Sequence, residues 1–238
     1  MPDMLTSWPA GGVAVVIGAT GSIGAALLAQ LQKNSIFTQV VGLSRTSHPS
    51  LNLLDESTID AAAKSVAALG LEVRLVIDAT GQLHSEAYQP EKSWQQLDPV
   101  QMAESFAVNA IGPALLMKHF LPLLPRQGKS MFATLSAKVG SIGDNRLGGW
   151  YSYRASKAAL NQLVHTSAIE LRRSRPQAIC VALHPGTVDS ALSAPFAKTG
   201  LLVQQPIEAS QRLLKVMDAL TIDNSGDFFN HDGTKLPW

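Results

Sequence analysis

Cysteine, charge and long apolar runs are all scarce in this 238-residue chain, and each shortage excludes a class of protein. Cys180 is the single cysteine, so no disulfide can form within the chain, and its surroundings, AICVAL, are typical of a buried thiol. Charged residues make up 16% of the chain, and its formal charge is +1. The basic cluster of Arg172, Arg173 and Arg175 ends a helical pattern, where cations suit the carbonyl end of the helix dipole. Because no other Lys/Arg block or stripe is present, we expect no nucleic-acid partner.

The N-terminal region also lacks the features of a membrane protein. The apolar run VAVVI at 13–17 is far too short to span a bilayer, and residues 1–12 do not have the pattern of a signal peptide. We therefore expect a cytoplasmic protein that does not contact membranes. We interpret His184 as a structural residue and predict no metal site, because no second His, Cys or acid has suitable spacing.

Strand-like and helix-like patterns alternate along the whole chain. The predicted strands are 12–18, 38–44, 72–79, 130–136, 177–184 and 226–230, and the predicted helices are 22–33, 56–69, 99 to about 124, 151–174 and 206–220. Asp98 followed by Pro99 marks a helix start. The repeated βα order predicts a doubly wound α/β fold with a mostly parallel sheet. Because the sequence contains no linker and no internal repeat, we expect a single domain over residues 1–238.

A glycine-rich turn joins the first predicted strand to the first predicted helix. Gly18, Gly21 and Gly24 let the backbone approach a pyrophosphate, which the helix N-terminus attracts. This position favours dinucleotide binding over a purely structural turn. The next strand ends in GLSRT, with Arg45 and no acid. Arginine accommodates the 2′-phosphate of NADP, so NADP is predicted over NAD, unless Arg45 is only a solvated surface residue.

A tyrosine–lysine pair lies in GGWYSYRASKAALNQL. Tyr153 is four residues before Lys157, so both face the same way on a helix, whereas Tyr151 lies on another face. A nearby ammonium lowers a tyrosine pKa, and the pair can then exchange a proton with a carbonyl or alcohol oxygen. Packing of the ring on the lysine stem is the alternative, and the nearby nucleotide turn disfavours it. We expect Tyr151 to shape the pocket edge with Trp150.

These motifs together resemble a known family. The glycine turn, FAVNAIGP, YRASKAAL and LHPGTVDSALSAPF resemble the short-chain dehydrogenase/reductase family, and the ending GDFFNHDGTKLPW is similar to its C-factor and sniffer-type carbonyl reductases. The resemblance covers essentially the whole chain. It implies a Rossmann fold with about seven strands, NAD(P)-dependent redox chemistry on a small carbonyl or alcohol, and a homodimer or homotetramer. A nucleotide-binding signalling protein with little turnover is the alternative.

The resemblance also assigns roles to individual residues. Tyr153 matches the proton donor or acceptor, and Lys157 matches the residue that lowers its pKa and holds the nicotinamide ribose. Asn109 matches the asparagine whose helix carries a water of the proton relay; the alternative is a polar residue that only distorts its helix, which the surrounding FAVNAIGP disfavours. The turn and the resemblance assign the following further residues to the cofactor: Gly18, Thr20, Gly21, Ser22, Ile23, Gly24, Arg45, Asn52, Leu53, Asp78, Ala79, Thr80, Gly81, Pro185, Gly186, Thr187, Val188 and Ser190.

Three positions depart from the family pattern. Ala137 stands three residues before a glycine, where the family has the serine that binds the substrate carbonyl. We prefer Ser136 for that role because it ends a strand, and Ser141 is the alternative. Asp78 replaces an asparagine; an ionised carboxylate there can still accept backbone N–H bonds, but the substitution is expected to loosen the central sheet. Gly21 comes one residue earlier than in most simple members, but the chain length and the Tyr–Lys pair favour the short-chain type.

Two loops are expected to select the substrate. Residues 144–150 follow the fourth predicted strand, and residues 188–205 have the composition of a mobile lid. The second loop contains several apolar residues, which favour a hydrophobic ketone, aldehyde or alcohol: Ala191, Leu192, Pro195 and Phe196.

Overall fold

Six parallel strands form one sheet in the computed structural model, which describes residues 5–190, 193 and 203–238. The strands are β1 (Val13–Ile17), β2 (Gln39–Leu43), β3 (Val73–Asp78), β4 (Ser130–Leu135), β5 (Ala178–His184) and β6 (Phe228–Asn230). Their order is β2-β1-β3-β4-β5-β6. From β1 the chain adds β2 on one side and then returns to add β3 on the other side, so the topological switch point lies between β1 and β3. Open α/β sheets bind ligands at such a switch point.

All six strands lie where the sequence predicts them, but the count of about seven implied by the resemblance is wrong for the described part of the chain. Residues 44–55 connect β2 directly to the next helix. This connection is too short to hold both a crossover helix and a further parallel strand. The sheet therefore ends at β2 on that side.

Helices cover both faces of the sheet. They are α1 (Ser22–Gln32), α2 (Glu56–Ala67), α3 (Pro99–Phe106), α4 (Gly112–Phe120), α5 (Tyr151–Ser174) and α6 (Pro206–Ala219). A π-helical turn over 107–111 joins α3 to α4, so the long helix predicted from residue 99 is interrupted by a bulge. The Asp98 carboxylate accepts a hydrogen bond from the Gln101 N–H and caps α3, as the sequence predicts.

Successive strand residues supply two apolar layers. On β1, Val15 packs into the layer covered by α2, α4 and α5, whereas Val16 packs into the layer covered by α1 and α6. This alternation follows from the twofold side-chain period of a strand. Cys180 is buried in the first layer, and burial raises the pKa of its thiol to about 12. The two layers share one sheet and form one domain.

The helical segment Pro99–Leu123 is long and apolar enough to cross a membrane by length and composition alone. One such helix is weak evidence for a span, because the core helix of a globular domain passes the same test. Leu116 and Phe120 are fully buried in the layer that also contains Leu160 of α5. We therefore assign this segment to the packing of the domain.

Candidate active site

Two cavities open at the edge where the parallel strands end. One has a volume of about 350 Å³ and is called the glycine-turn cleft; its lining residues are Ile17, Gly18, Thr20, Gly21, Ser44, Arg45, Leu51, Asn52, Leu53, Leu54, Ala79, Thr80, Gly81, Gln82 and Val108. The other, of about 430 Å³, contains Tyr153 in its wall and is called the tyrosine cavity. Their position at the carboxyl ends of the strands is where α/β sheets bind ligands.

The glycine turn brings helix α1 unusually close to strand β1. A Cβ atom at Gly24 would lie 2.1 Å from the Gly18 carbonyl oxygen, so only glycine fits there. Gly18 has φ of +79°, which also favours glycine. The first residue before α1, Gly21, offers no capping side chain, and the first turn holds no acid. The positive end of the helix is therefore available to an anion such as a diphosphate.

Other residues assigned to the cofactor are distributed over both cavities. Arg45 is exposed and lines the glycine-turn cleft beside Asn52 and Leu53. Ile23 lines the tyrosine cavity instead. Ser22 and Gly24 belong to the first turn of α1 and do not line the cleft. Six cleft residues were not predicted from the sequence: Ile17, Ser44, Leu51, Leu54, Gln82 and Val108. Only Ile17 and Ser44 had a signal, because they adjoin the predicted residues Gly18 and Arg45 in the chain.

Asp78 accepts hydrogen bonds within its own loop and from the neighbouring strand, so the expectation that it loosens the central sheet is wrong. It is fully buried, and one carboxylate oxygen accepts from the Thr80 N–H at 3.0 Å and from the Thr80 hydroxyl at 2.5 Å. The other oxygen accepts from the Thr134 hydroxyl of the neighbouring strand at 2.6 Å. The pairing of β3 with β4 continues through Asp78 and Thr134. Burial raises the pKa of Asp78, while these hydrogen bonds lower it.

Tyr153 and Lys157 are both buried on one face of α5. The Lys157 Nζ lies 6.0 Å from the centre of the Tyr153 ring and donates to the Leu135 carbonyl oxygen at 2.9 Å. A Cβ atom at Gly81 would lie 3.4 Å from that Nζ, so Lys157 reaches the turn after β3. The lysine therefore lies between the tyrosine cavity and the glycine-turn cleft.

The pKa of Tyr153 shifts in the direction opposite to the expectation. Burial raises it above its ordinary value, because the phenolate would lose its hydration. The Lys157 ammonium donates to the Leu135 carbonyl oxygen and lies 6.0 Å from the centre of the Tyr153 ring. Burial also lowers the pKa of Lys157 to about 8, and Asp78 counteracts part of this shift. At neutral pH the structure thus presents a protonated phenol.

Asn109 lies in the π-helical turn and ties this turn to the loop after β3. Its side-chain oxygen accepts from the Gln82 N–H at 2.9 Å, and its amide nitrogen donates to the Gln82 carbonyl at 2.8 Å. The amide nitrogen also lies 3.3 Å from the hydroxyls of Ser105 and Ser156. Asn109 therefore connects the π-helical turn to the rim of the glycine-turn cleft.

The candidate serines have different surroundings. Ser136 and Ala137 both line the tyrosine cavity, and Ala137 packs beside Tyr153. The Ser136 hydroxyl donates to the Asn161 side-chain oxygen at 2.6 Å. Ser141 does not line the tyrosine cavity; its hydroxyl accepts from the Asp144 N–H at 3.1 Å in the following turn. The position of Ser136 in the cavity lining thus favours it over Ser141 as the hydroxyl that binds the substrate carbonyl.

The tyrosine cavity has an apolar interior and charged residues among its lining. Its lining residues are Ile23, Leu83, Ser136, Ala137, Lys138, Val139, Asp144, Arg146, Leu147, Trp150, Tyr153, Arg154, His184, Pro185, Gly186, Thr187, Val188, Ser190 and Ser193. Trp150 is present but Tyr151 is not, so the expectation that Tyr151 shapes the pocket edge is wrong. Helical rotation turns Tyr151 away from Tyr153. Ala191, Leu192, Pro195 and Phe196 lie outside the described residues.

The loop after β5 is fixed at its base by Gln204. The Gln204 N–H donates to the Thr187 carbonyl, and the Asp189 N–H donates to the Gln204 carbonyl. His184 packs against His231, with ring centres 6.5 Å apart, and burial lowers its pKa to about 4. Within the described part of the chain, no group of three or more His, Cys, Asp and Glu side chains could hold a metal ion.

Comparison with known proteins connects this site to a family. The sequence model of the short chain dehydrogenase family matches residues 12–200. The C-signal protein of Myxococcus xanthus is 37% identical over 144 residues, which cover 60% of this chain and 81% of that protein.

Two solved structures share the fold over almost the whole chain. The NADPH-bound carbonyl reductase from chicken fatty liver has a TM-score of 0.84 at 25% identity, covering 100% of this chain and 98% of the other. The carbonyl reductase Sniffer of D. melanogaster has a TM-score of 0.81 at 20% identity, covering 96% and 100%. The second likeness is one of fold alone.

Proposed function

This chain belongs to the short-chain dehydrogenase family, and on that basis we propose that it is an NADPH-preferring carbonyl reductase or alcohol dehydrogenase. The observation that carries the proposal is the buried Tyr153, which lines the tyrosine cavity and shares one face of α5 with Lys157. A protonated phenol in the cavity wall can donate a proton to a carbonyl oxygen. The NADPH-bound carbonyl reductase with the same fold supports the assignment.

The glycine-turn cleft fits the diphosphate of a dinucleotide. The close approach of Gly24 to Gly18 and the uncapped start of α1 leave backbone N–H groups and a positive helix end for it. We assign Arg45 to the 2′-phosphate of NADP, with NAD as the less preferred dinucleotide. The family resemblance assigns Lys157 to the ribose and the loop 185–190 to the nicotinamide. When bound, the cofactor supplies a hydride to the substrate carbon.

Tyr153 completes the reduction by giving its hydroxyl proton to the substrate oxygen, which leaves an alcohol and a tyrosinate. The Lys157 ammonium stabilises this tyrosinate by its charge, although it does not lower the pKa of Tyr153 below the ordinary value in the structure. A water held by the helix of Asn109 returns the proton, as the resemblance implies. In the oxidation direction the same groups act in reverse.

Ser136 is the proposed donor that holds the substrate oxygen. Its hydrogen is directed to Asn161 in the structure. The role therefore requires the Asn161 amide to turn, so that its nitrogen donates to Ser136 and the serine hydrogen becomes available to the cavity. A donor at the developing charge stabilises the transition state.

The apolar wall of the tyrosine cavity supports a hydrophobic ketone, aldehyde or alcohol as the substrate. Leu83, Val139, Leu147 and Val188 are among the aliphatic residues that line it. Such a wall recognises shape and apolar area, while Tyr153 supplies the polar contact. The direction of the reaction follows from the ratio of the two cofactor forms.

We also propose that the protein acts in the cytoplasm as a homodimer or homotetramer. A surface groove between α4 and α5 supports association, because it is lined by Met117, Leu121, Leu163 and Leu171 beside charged residues. Sedimentation at several protein concentrations tests the association state. A mass that stays at the 25.3 kDa of one chain would contradict it.

A signalling protein with little turnover is the second candidate. The C-signal protein is a relative, and Ala137 removes the usual serine from the tyrosine cavity. Under this alternative, NADPH binding would change the protein's interactions while turnover stays minimal. The two candidates therefore differ in catalysis, not in cofactor binding.

The deciding experiment follows NADPH absorbance with a panel of apolar ketones and aldehydes. We expect turnover by the unmodified chain, loss of turnover in Tyr153→Phe and unchanged NADPH affinity in that variant. Tyr151→Phe is the matched control, because Tyr151 does not line the cavity. If NADPH binds but no compound is reduced, and Tyr153→Phe changes nothing, the reductase assignment is overturned.

A further inference from the structure

Glu91 is a buried acid that the proposed chemistry does not use. It lies in the loop between β3 and α3 and is only 2% exposed. Its two carboxylate oxygens lie 3.3 and 3.2 Å from the Ser152 N–H nitrogen at the start of α5, and the Ser152 hydroxyl also donates to it. In the described part of the chain, no Lys, Arg or His forms an ion pair with Glu91.

A carboxylate at this place serves as an external helix cap. The N-terminus of α5 begins after Trp150, whose side chain makes no capping hydrogen bond. The first N–H groups of a helix need acceptors, and a negative charge there also interacts favourably with the helix dipole. Glu91 accepts hydrogen bonds from both the N–H and the hydroxyl of Ser152. These bonds offset part of the free-energy cost of burying the carboxylate without a cation.

The main chain of Glu91 holds the residue before the helix. The Trp150 N–H donates to the Glu91 carbonyl oxygen at 2.5 Å. Trp150 has φ of +54° and ψ of +43°, a left-handed conformation that bulky residues rarely adopt. Such strain persists only where the surrounding contacts determine it. Both the side chain and the main chain of Glu91 therefore fix the turn into α5.

This turn directs an aromatic ring into the active site. The Trp150 indole meets the Tyr153 ring edge to face, with ring centres 6.3 Å apart, and it lines the tyrosine cavity. We propose that Glu91 is a positioning residue that caps α5 through Ser152 and holds Trp150 as the cavity wall against Tyr153. Its effect on turnover rests on the proposed function, whereas its effect on the helix start does not.

The rest of α5 has its own anchors. Lys157 donates to the Leu135 carbonyl, and the Ser105 and Ser156 hydroxyls lie 3.1 Å apart. Loss of the Glu91 carboxylate should therefore loosen the first turn and leave the middle of the helix in place. The glycine-turn cleft does not include Glu91 or Trp150, so cofactor affinity should be unchanged.

Hydrogen exchange of the peptide 148–153 tests the positioning role without any substrate. For Glu91→Ala we expect exchange at Ser152 to become at least roughly tenfold faster, because a hydrogen bond to a charged group is lost, while residues 157–171 keep their protection. Glu91→Gln retains one acceptor and should restore most of the protection. Glu86→Ala is the control, since Glu86 is an exposed acid in the same loop.

Steady-state kinetics of these variants give the second readout. Glu91→Ala should raise KM for an apolar carbonyl at least severalfold and leave the NADPH Kd unchanged, with rescue by Glu91→Gln. If Glu91→Ala fails to fold, Ser152→Ala should show the same changes more weakly. Unchanged exchange at Ser152 in the folded variants, or equal changes in Glu86→Ala, would overturn the inference. If the unmodified chain reduces no carbonyl, the proposed function fails while the exchange result still decides the role of Glu91.

Discussion

The hydroxyl of Ser136 donates a 2.6 Å hydrogen bond to the side-chain oxygen of Asn161, and both residues are buried. The amide nitrogen of Asn161 has no hydrogen-bond partner among the described residues. A buried donor without a partner costs free energy, so rotation of the Asn161 amide to an orientation in which its nitrogen donates is favourable. Asn161 therefore controls whether the hydrogen of Ser136 points to the helix or into the tyrosine cavity.

Asn161→Asp should lower kcat by about tenfold or more, because the carboxylate can only accept and would keep the Ser136 hydrogen away from the substrate. Ser136→Ala should have a similar effect, and the double variant should be no worse than either single one. Steady-state kinetics at saturating NADPH measure this. Ser141→Ala serves as the control; a loss there with none in Ser136→Ala would show that Ser141 supplies the hydroxyl.

Ala137→Ser should raise kcat/KM for a small carbonyl severalfold, because it adds a donor beside Tyr153 where a substrate oxygen is held. Ala137 is buried beside Tyr153 and lines the tyrosine cavity, so an added hydroxyl would lie at the cavity wall. The same change should recover activity in the Ser136→Ala background. A fall in kcat/KM in both backgrounds would show that the cavity does not hold the substrate oxygen at this position.

Helical and strand periodicity predicted most of the secondary structure and the relative position of Tyr153 and Lys157. The family resemblance is confirmed, the six strands lie where they were predicted, and Tyr153 and Lys157 share a helix face because four residues make about one turn. These conclusions depend on residues near one another in the chain. Local patterns are sufficient for them.

The parts that could not be predicted depend on contacts between distant segments. The pKa direction of Tyr153 is set by its burial, and the ammonium of Lys157 is held by the Leu135 carbonyl at the end of β4. The contact of Glu91 with Ser152 joins residues 61 positions apart. Neither has a periodic or motif signal in the sequence, because each arises only when the sheet places a loop against a helix.

Arg45→Ala should weaken NADPH binding by roughly 10- to 100-fold, the loss expected for a hydrogen-bonded charge pair, and leave NADH binding unchanged. Arg45 is exposed at the rim of the glycine-turn cleft, so its removal should not disturb the fold. Titrations of both cofactors by fluorescence measure the effect. Arg146→Ala is the matched control, because Arg146 lines the other cavity. Unchanged NADPH affinity in Arg45→Ala would contradict the assignment.

His184 should make the protein less stable in mild acid. Burial, with smaller contributions from His231 and Lys138, lowers its pKa from 6.5 to about 4. Between these values the unfolded chain binds more protons than the folded one, so stability falls as the pH drops through the window. From pH 7.5 to pH 5, this residue should reduce the unfolding free energy by about 2 kcal/mol.

Urea unfolding at pH 7.5 and pH 5 measures this effect in the unmodified chain, His184→Gln and the exposed control His48→Gln. His184→Gln should lose about 2 kcal/mol less stability between the two pH values than the unmodified chain, because a neutral amide cannot gain the buried charge. His48→Gln should behave like the unmodified chain. Equal losses in His184→Gln and the unmodified chain would mean that His184 takes up its proton in the folded state without cost, and its ring would then have to reach water beside the tyrosine cavity.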